Sequence, residues 1–371
     1  MVSDISLKQL NRFLFFGVLV TAILYFAKQV LIPITFSAFF AMLFTPLSNK
    51  MENHKIPRIL SAVISLLILV SCVFVIGLLV YMQGKKLAED FPKIEQKTEQ
   101  FIKQSQEYIS DKLNVPQEKQ DSLINKQIKS MSSSAGKTAK QFISSIGGSL
   151  ASAVLVLIFT FLFLLQRDKY ETFFIQLCKN TPPDEAKKMI QGISKVSQSY
   201  LTGRALSILI FTTLFTTGFL IIGLKNAFLL AFIAAVLTII PYVGSIIGGL
   251  FPFAVALVTE DSTTVAVGAL AVIVIIQGID NYFIEPYVIG GEVNISGFFT
   301  ILILFIGGLL WGIAGVVLFL PMLGVAKIIC DSIPELHIYG YLIGDQQQEK
   351  QSTRLWKKIK GIFKKQKTSE N

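Results

Sequence analysis

Apolar residues arrive in uninterrupted runs: Phe13 to Phe26, Val30 to Leu47, Ile59 to Met82, Leu150 to Leu165, Leu206 to Leu224, Ala227 to Val258, Val265 to Ile279 and Phe298 to Ile329. Crossing a hydrocarbon core of roughly 30 Å takes about 20 apolar residues in a helix, so each run is a candidate span. The runs lack the alternating rhythm of membrane barrel strands, which leaves helices. The predicted fold class is an all-α integral membrane protein with about eight hydrophobic segments and one helical module outside the membrane. The first run has no small-residue cleavage site before the next, so it reads as a first span or half of a helical hairpin rather than a signal peptide.

Between the runs the pattern changes. Residues 83–147 are rich in Lys, Glu, Gln and Ser, and must leave the bilayer. Within them Leu87, Phe91, Ile94, Thr98, Phe101, Ser105 and Tyr108 form a heptad-like stripe, with Asp90 as a cap and Pro92 near the first turn. The stripe suits an oligomerisation or gating arm, or equally a hairpin packed on the membrane or on its own protein. A polar connector, 167–204, contains a helix start at Thr181 to Glu185. The helix that follows presents Met189, Ile193, Val196 and Tyr200 on one face, as at a membrane surface or under a bundle. The tail alternates lysines with Leu355, Trp356, Ile359, Ile362 and Phe363, a basic amphipathic pattern suited to anionic lipid. The implied organisation is membrane helices in 1–82, the outer module in 83–147, a membrane helix in 148–166, a cytoplasmic connector in 167–204, a transport core in 205–330 and a basic tail in 331–371.

Proline and glycine interrupt the later runs. The sixth would be about 50 Å long as one helix, too long for a bilayer, and has Pro241, Tyr242, Gly244, Gly248, Gly249 and Pro252 at its centre. It is predicted to be a broken helix or re-entrant hairpin. Exposed backbone at that depth is tolerated only against protein or a water-filled cavity, so the break marks a candidate site. The eighth run, with Gly307, Gly308, Trp311, Gly312, Gly315 and Pro321, is also long enough to break or fold back. Its small residues allow helices to approach closely or to hinge. Pro-Tyr-Val followed by Gly occurs at Pro241 and again at Pro286, a hint of an internal repeat.

Composition agrees: hydrophobic residues make up 52% and charged residues 16% of 371 positions, which excludes an ordinary soluble domain. The net charge of +10 would suit nucleic acid, but in a membrane protein excess Lys and Arg sets orientation. The start, the 49–58 turn, the 167–204 connector and the tail from Lys327 hold 21 of the 34 cationic residues. Eight crossings with the N-terminus inside put all four, and both termini, in the cytoplasm of a bacterial inner membrane. The outer module carries eleven lysines against this rule, and its length places it at the rule's limit. Cys72, Cys178 and Cys330 have no metal-ligand spacing, and His54 and His337 lie in loops or tail. No P-loop, dinucleotide glycine run or catalytic triad is present. No cofactor, metal, catalytic residue or nucleic-acid partner is expected, and the reading is a transporter rather than an enzyme.

The candidate pathway residues are Pro241, Tyr242, Gly244, Gln277, Asp280, Asn281, Glu285 and Pro286. A carboxylate at membrane depth carries a cation, a proton or a partner charge, and Asp280 directly follows an apolar run. The alternative is that Asp280 and Glu285 sit in water and only end a helix. Gln277 and Asn281 offer neutral hydrogen bonds to a hydroxylated solute, or tie helices together. Gly248, Gly249, Gly307, Gly308, Gly312, Gly315 and Pro321 are packing or hinge positions.

A set of ordered words carries a family resemblance: Leu31-Ile-Pro33 to Pro46, Ile56-Pro57-Arg58, Tyr200 to Arg204, Ile240 to Gly244, Gln277 to Asn281 leading to Pro286, and Trp311-Gly312 with Gly315 and Pro321. On this hydropathy profile they resemble the autoinducer-2 exporter family of bacterial permeases over nearly the whole chain. The resemblance implies a secondary transporter with cytoplasmic termini, oligomeric, exporting a furanone-type signal in some members and exchanging sodium for protons in others. The family often has Glu at the position of Asp280 and Gln at that of Arg204. Three readings stay open: export of a small polar organic molecule, with Asp280 as coupling carboxylate; cation–proton antiport; and a non-transporting assembly protein acting through 83–147.

Overall fold

The computed structural model describes residues 7–79, 81–82, 150–178, 181–238, 240, 243–260, 263–282, 284 and 294–345. The module at 83–147 with its heptad-like stripe and the basic tail beyond 345 lie outside these residues, as do Pro241, Tyr242, Glu285 and Pro286 and with them the second copy of the Pro-Tyr-Val word. The described residues contain α-helices, short 3-10 and π turns and no strand. The helices are α1 (Leu7–Phe26), α2 (Lys28–Asn53), α3 (Arg58–Leu79), α4 (Leu150–Leu165), α5 (Arg167–Leu177), α6 (Pro183–Ile221), α7 (Ala227–Leu237), α8 (Val243–Thr259), α9 (Thr263–Ile279), α10 (Gly297–Trp311), α11 (Ile313–Ser332) and α12 (His337–Ile343). Five are long and apolar enough to cross a membrane, namely α2, α3, α6, α9 and α11, and α4 with α5 makes a sixth if that bent pair is one span. The protein is a multi-pass, all-α membrane protein.

The described residues form two compact units. One draws on the described residues within 7–66, 155–204 and 294–345, the other on those within 67–82, 150–154 and 205–284. In the first unit Phe39, Trp311, Leu318 and Phe319 make one core and Ala41, Ala62 and Leu164 another. Hydroxyls tie the helices where the residues are small: Ser48 and Ser65 share a hydrogen bond of 3.1 Å, and Ser37 donates to the Val156 carbonyl at 2.9 Å. Trp311 Nε1 donates to the Leu24 carbonyl at 2.8 Å, so the indole's one polar atom is satisfied inside an apolar core.

The face Met189, Val196 and Tyr200 is buried in this unit, so the connector helix packs under the bundle and not on the lipid surface. It also does not end before the fifth run. α6 is continuous over 39 residues, about 58 Å, with its second half in the other unit. It stops at Gly223, whose φ of +75° lets the amide of Leu224 reach back to the Phe219 carbonyl at 2.9 Å. That is a Schellman cap, and the αL position suits glycine.

Both long glycine-rich runs are broken. The eighth is α10 and α11 joined at Gly312, with φ +61° and ψ −139°, a conformation open in practice to glycine alone. The chain doubles back there: a Cβ on Gly307 would lie 2.7 Å from the Gly315 carbonyl oxygen, and one on Gly315 would overlap the Gly307 carbonyl. The sixth run is α7 and α8, broken at 238–242, and it doubles back as well.

Candidate functional site

The site is built within the second unit on the α7–α8 hairpin. α7 has 11 residues, about 16 Å of helix, half of what a bilayer core requires. Its apolar residues include no charge to stop it earlier, and it ends where Pro241 removes an amide donor. Beyond the break the two helices are in backbone contact. A Cβ on Gly248 would lie 2.7 Å from the Ala234 carbonyl oxygen, and one on Gly244 would overlap that of Leu237. Gly249 faces α9, where a Cβ would come 2.8 Å from Ile273 Cγ2.

The open ends of the hairpin are held together by one carboxylate. The Lys225 amide donates to Glu260 Oε1 at 2.9 Å, and Lys225 Nζ lies 3.6 Å from Glu260 Oε2. The Glu260 side chain is buried and the Lys225 side chain exposed.

At the tip the second unit encloses a cavity of about 10 Å³, room for one water-sized particle. Its walls are Phe211 and Phe215 of α6, Thr238 just past α7, Ser245, Gly248 and Gly249 of α8, and Ile276, Gln277 and Asp280 at the end of α9, besides Ala234. Gln277 and Asp280 share a helical face at a spacing of three. Gln277 Nε2 points to Asp280 Oδ2 and to Asn281 Oδ1, each at 3.4 Å, long enough for both contacts to yield to a ligand. Asp280 opens a π-helical turn over 280–282, an irregularity found often at functional sites. Thr238 Oγ1 donates to the Ala235 carbonyl at 2.6 Å.

Of the residues singled out in the sequence, Gln277, Asp280, Gly248 and Gly249 line the cavity. Gly244 forms the hairpin crossing beside it, and Asn281 is exposed one residue beyond Asp280. Gly307, Gly308, Gly312, Gly315 and Pro321 belong to the α10–α11 hairpin of the other unit, where Gly307, Gly315 and Pro321 are buried. Sequence reasoning missed Phe211, Phe215, Thr238 and Ser245. The phenylalanines carried a signal, because Phe211, Phe215 and Phe219 recur every fourth residue along α6, with ring centroids 6.2 Å apart in a tilted pair and 5.6 Å apart in a stacked one. Thr238 and Ser245 flank the Pro241 break. Among the described residues no group of three or more His, Cys, Asp or Glu is arranged to hold a metal.

A broken helical hairpin whose tip meets a carboxylate and an amide inside an apolar helical unit is a construction that membrane transporters use. The chain belongs to the AI-2E transporter family, whose model matches residues 14–335. It is 28% identical over 330 residues to the Bacillus subtilis protein YueF, provisionally named a transport protein, covering 85% of this chain and 82% of that one. It is 25% identical to a provisionally named transport protein of Haemophilus influenzae, over 87% and 92% of the two chains. To the Escherichia coli AI-2 transport protein TqsA it is 24% identical, over 93% and 98%.

Proposed function

We propose that this protein is a secondary transporter that exports a small polar organic molecule of the autoinducer-2 type across the bacterial inner membrane. In this reading the cavity at the α7–α8 tip is the site that alternates between the two sides. The observation that carries it is the meeting of two hydroxyls, an amide and a carboxylate at the break of a helical hairpin. These are the groups that recognise a hydroxylated solute, set on the backbone irregularity that transporters place at their midplane. The likeness to TqsA supports the substrate class. The cavity holds one water-sized particle, so a solute of this class enters only when the hairpin tip separates from α9.

A second reading rests on the cavity's size. Room for one water-sized particle beside a carboxylate, and beside the carbonyl end of α7 with its partial negative charge, suits a bare cation or a proton. Asp280 then carries the coupling ion, or the transported one.

Orientation follows from parity. Counted from the cationic 49–58 turn, which the positive-inside rule places in the cytoplasm, a sixth and an eighth run that both fold back leave the basic tail on that same side. The residues after Asp280 then face the cytoplasm instead of the exterior.

The test uses purified protein in liposomes with a lumenal pH dye and external sodium, and separately with a radiolabelled furanone diol, each for the native chain and for Asp280→Asn. Solute flux that falls at least about tenfold in Asp280→Asn supports the first reading, since removing a transition-specific charge interaction costs upward of about 1.4 kcal/mol. A sodium-dependent pH change lost in Asp280→Asn, without solute flux, replaces it by antiport. Flux unchanged in the variant removes Asp280 from either mechanism.

A further inference from the structure

We propose that α5 is a membrane-surface foot whose apolar face lies in the headgroup zone of the bilayer that α4 crosses. α4 is apolar throughout and ends at Leu165. The chain then turns by 73° at Gln166 into α5. A helix that leaves a span at this angle runs close to the membrane plane. Its composition agrees: Tyr170, Phe173, Phe174 and Leu177 follow the i, i+3, i+4, i+7 spacing of an apolar face, while Asp168, Thr172 and Gln176 occupy the other side together with the half-buried Ile175.

That face has no partner among the described residues. Phe173 is 56%, Phe174 50% and Leu177 64% exposed, and no residue of α5 is buried. Tyr170, at its near end, packs edge-on against Phe163 of α4 with centroids 5.2 Å apart. The apolar face of α5 therefore begins against the last turn of α4, an apolar helix that leaves Leu155 and Ile158 exposed farther from the bend. This continuity selects lipid as the occupant.

The polar end of α5 is fastened separately. Arg167 pairs with Glu52 and Asp168 with Arg58, each at 2.5 Å, and Ser61 donates to Glu52 at 2.9 Å. The α2–α3 turn thus holds the start of α5, which fixes the direction in which the apolar face points. Arg167, Asp168, Lys169 and Glu171 balance in charge, so burial of apolar area and not attraction to anionic lipid holds the helix down. In the orientation proposed above, the leaflet is the cytoplasmic one.

The test is spin-label accessibility on the full-length protein in nanodiscs, in a background with Cys72, Cys178 and Cys330 replaced by serine or alanine. Labels at Phe173→Cys and Leu177→Cys are expected to be oxygen-accessible and shielded from an aqueous nickel chelate, at a depth of about 5–10 Å below the phosphates. Labels at Thr172→Cys and Gln176→Cys are expected to be nickel-accessible, and both patterns to be the same in zwitterionic and anionic lipid. Equal nickel access at all four positions overturns the proposal. So does dipolar coupling between Phe173→Cys labels of neighbouring copies, which would make the face a subunit contact. A depth signal that appears only in anionic lipid overturns the apolar mechanism. Labels in the opposite leaflet would overturn the orientation and leave the foot standing.

Discussion

Asp280 stands at the end of an apolar helix, beside Gln277 and facing Phe211 and Phe215 across a space for one small particle. Its neighbours show how single residues set the site's tolerance. Gly249→Ala brings a methyl within 2.8 Å of Ile273 Cγ2, a side-chain atom that yields with a small shift of its helix face, whereas Gly248→Ala meets the Ala234 carbonyl oxygen at 2.7 Å, a backbone atom of the returning helix. Overpacking against a backbone costs about 1–3 kcal/mol. Gly248→Ala is expected to lower the melting temperature of the detergent-solubilised protein clearly more than Gly249→Ala, read by thermal-shift fluorescence. The charged residues around the α2–α3 turn divide in the same way. Arg167 and Glu52 are mostly shielded from solvent, at 17% and 24% exposure, whereas Asp168 is 70% exposed. Removing one partner of the shielded pair leaves a charge with little water, so Glu52→Gln is expected to destabilise by roughly 1–3 kcal/mol and Asp168→Asn by less than about 1 kcal/mol. A reversal in chemical denaturation would remove the shielding argument.

At the scale of elements, the two hairpins are the same solution to one constraint. A break inside a bilayer leaves backbone groups without water, and each hairpin packs the broken chain against its own returning helix through glycine contacts. Gly312 needs its positive φ and Gly315 needs its missing side chain. Gly308 has ordinary space, since a Cβ there would lie 3.4 Å from Val316 Cγ2. Gly312→Ala and Gly315→Val are therefore expected to abolish folded expression, scored by fluorescence-detected size exclusion, and Gly308→Ala to leave it within about twofold. The sixth run has its own clasp. Glu260→Gln keeps an acceptor for the Lys225 amide but removes the charge that strengthens that bond and faces Lys225 Nζ, a loss of about 1 kcal/mol. It is expected to loosen the open end of α7–α8, seen as faster amide exchange in 227–237.

For the whole molecule the consequence of folding back is topological. Counted from the cationic 49–58 turn, a straight sixth run puts the segment after Asp280 outside, and a sixth run that folds back puts it inside. Glu292→Cys, with the native cysteines removed, is expected to escape a membrane-impermeant maleimide in intact cells and to react once the membrane is opened. Labelling in intact cells would restore the straight crossings.

Much of this was legible along the chain. Run length identified the class, because burying twenty apolar residues has one economical solution in a bilayer. Pro241 with Gly244, Gly248 and Gly249 located the break, and Asp280 with Gln277 marked the polar end of α9, since such residues are costly at that depth and few. Thr238 and Ser245 were not legible as site residues, because a hydroxyl in a membrane helix satisfies itself on the preceding turn as readily as on a ligand, as Thr238 does on Ala235. The stripe from Met189 to Tyr200 matched a surface helix and a bundle helix equally, as amphipathicity records that one face is apolar and not what covers it. By itself the sequence determined a helical, multi-pass membrane transporter with two glycine-broken runs and a carboxylate closing an apolar one, because hydropathy and backbone hydrogen bonding act locally. Only the tertiary structure decided that both runs double back, that α6 continues through its connector, and that Phe211, Thr238 and Ser245 join Asp280 around one cavity. Straight and folded helices have the same hydropathy, and which one forms depends on glycine contacts between residues distant along the chain.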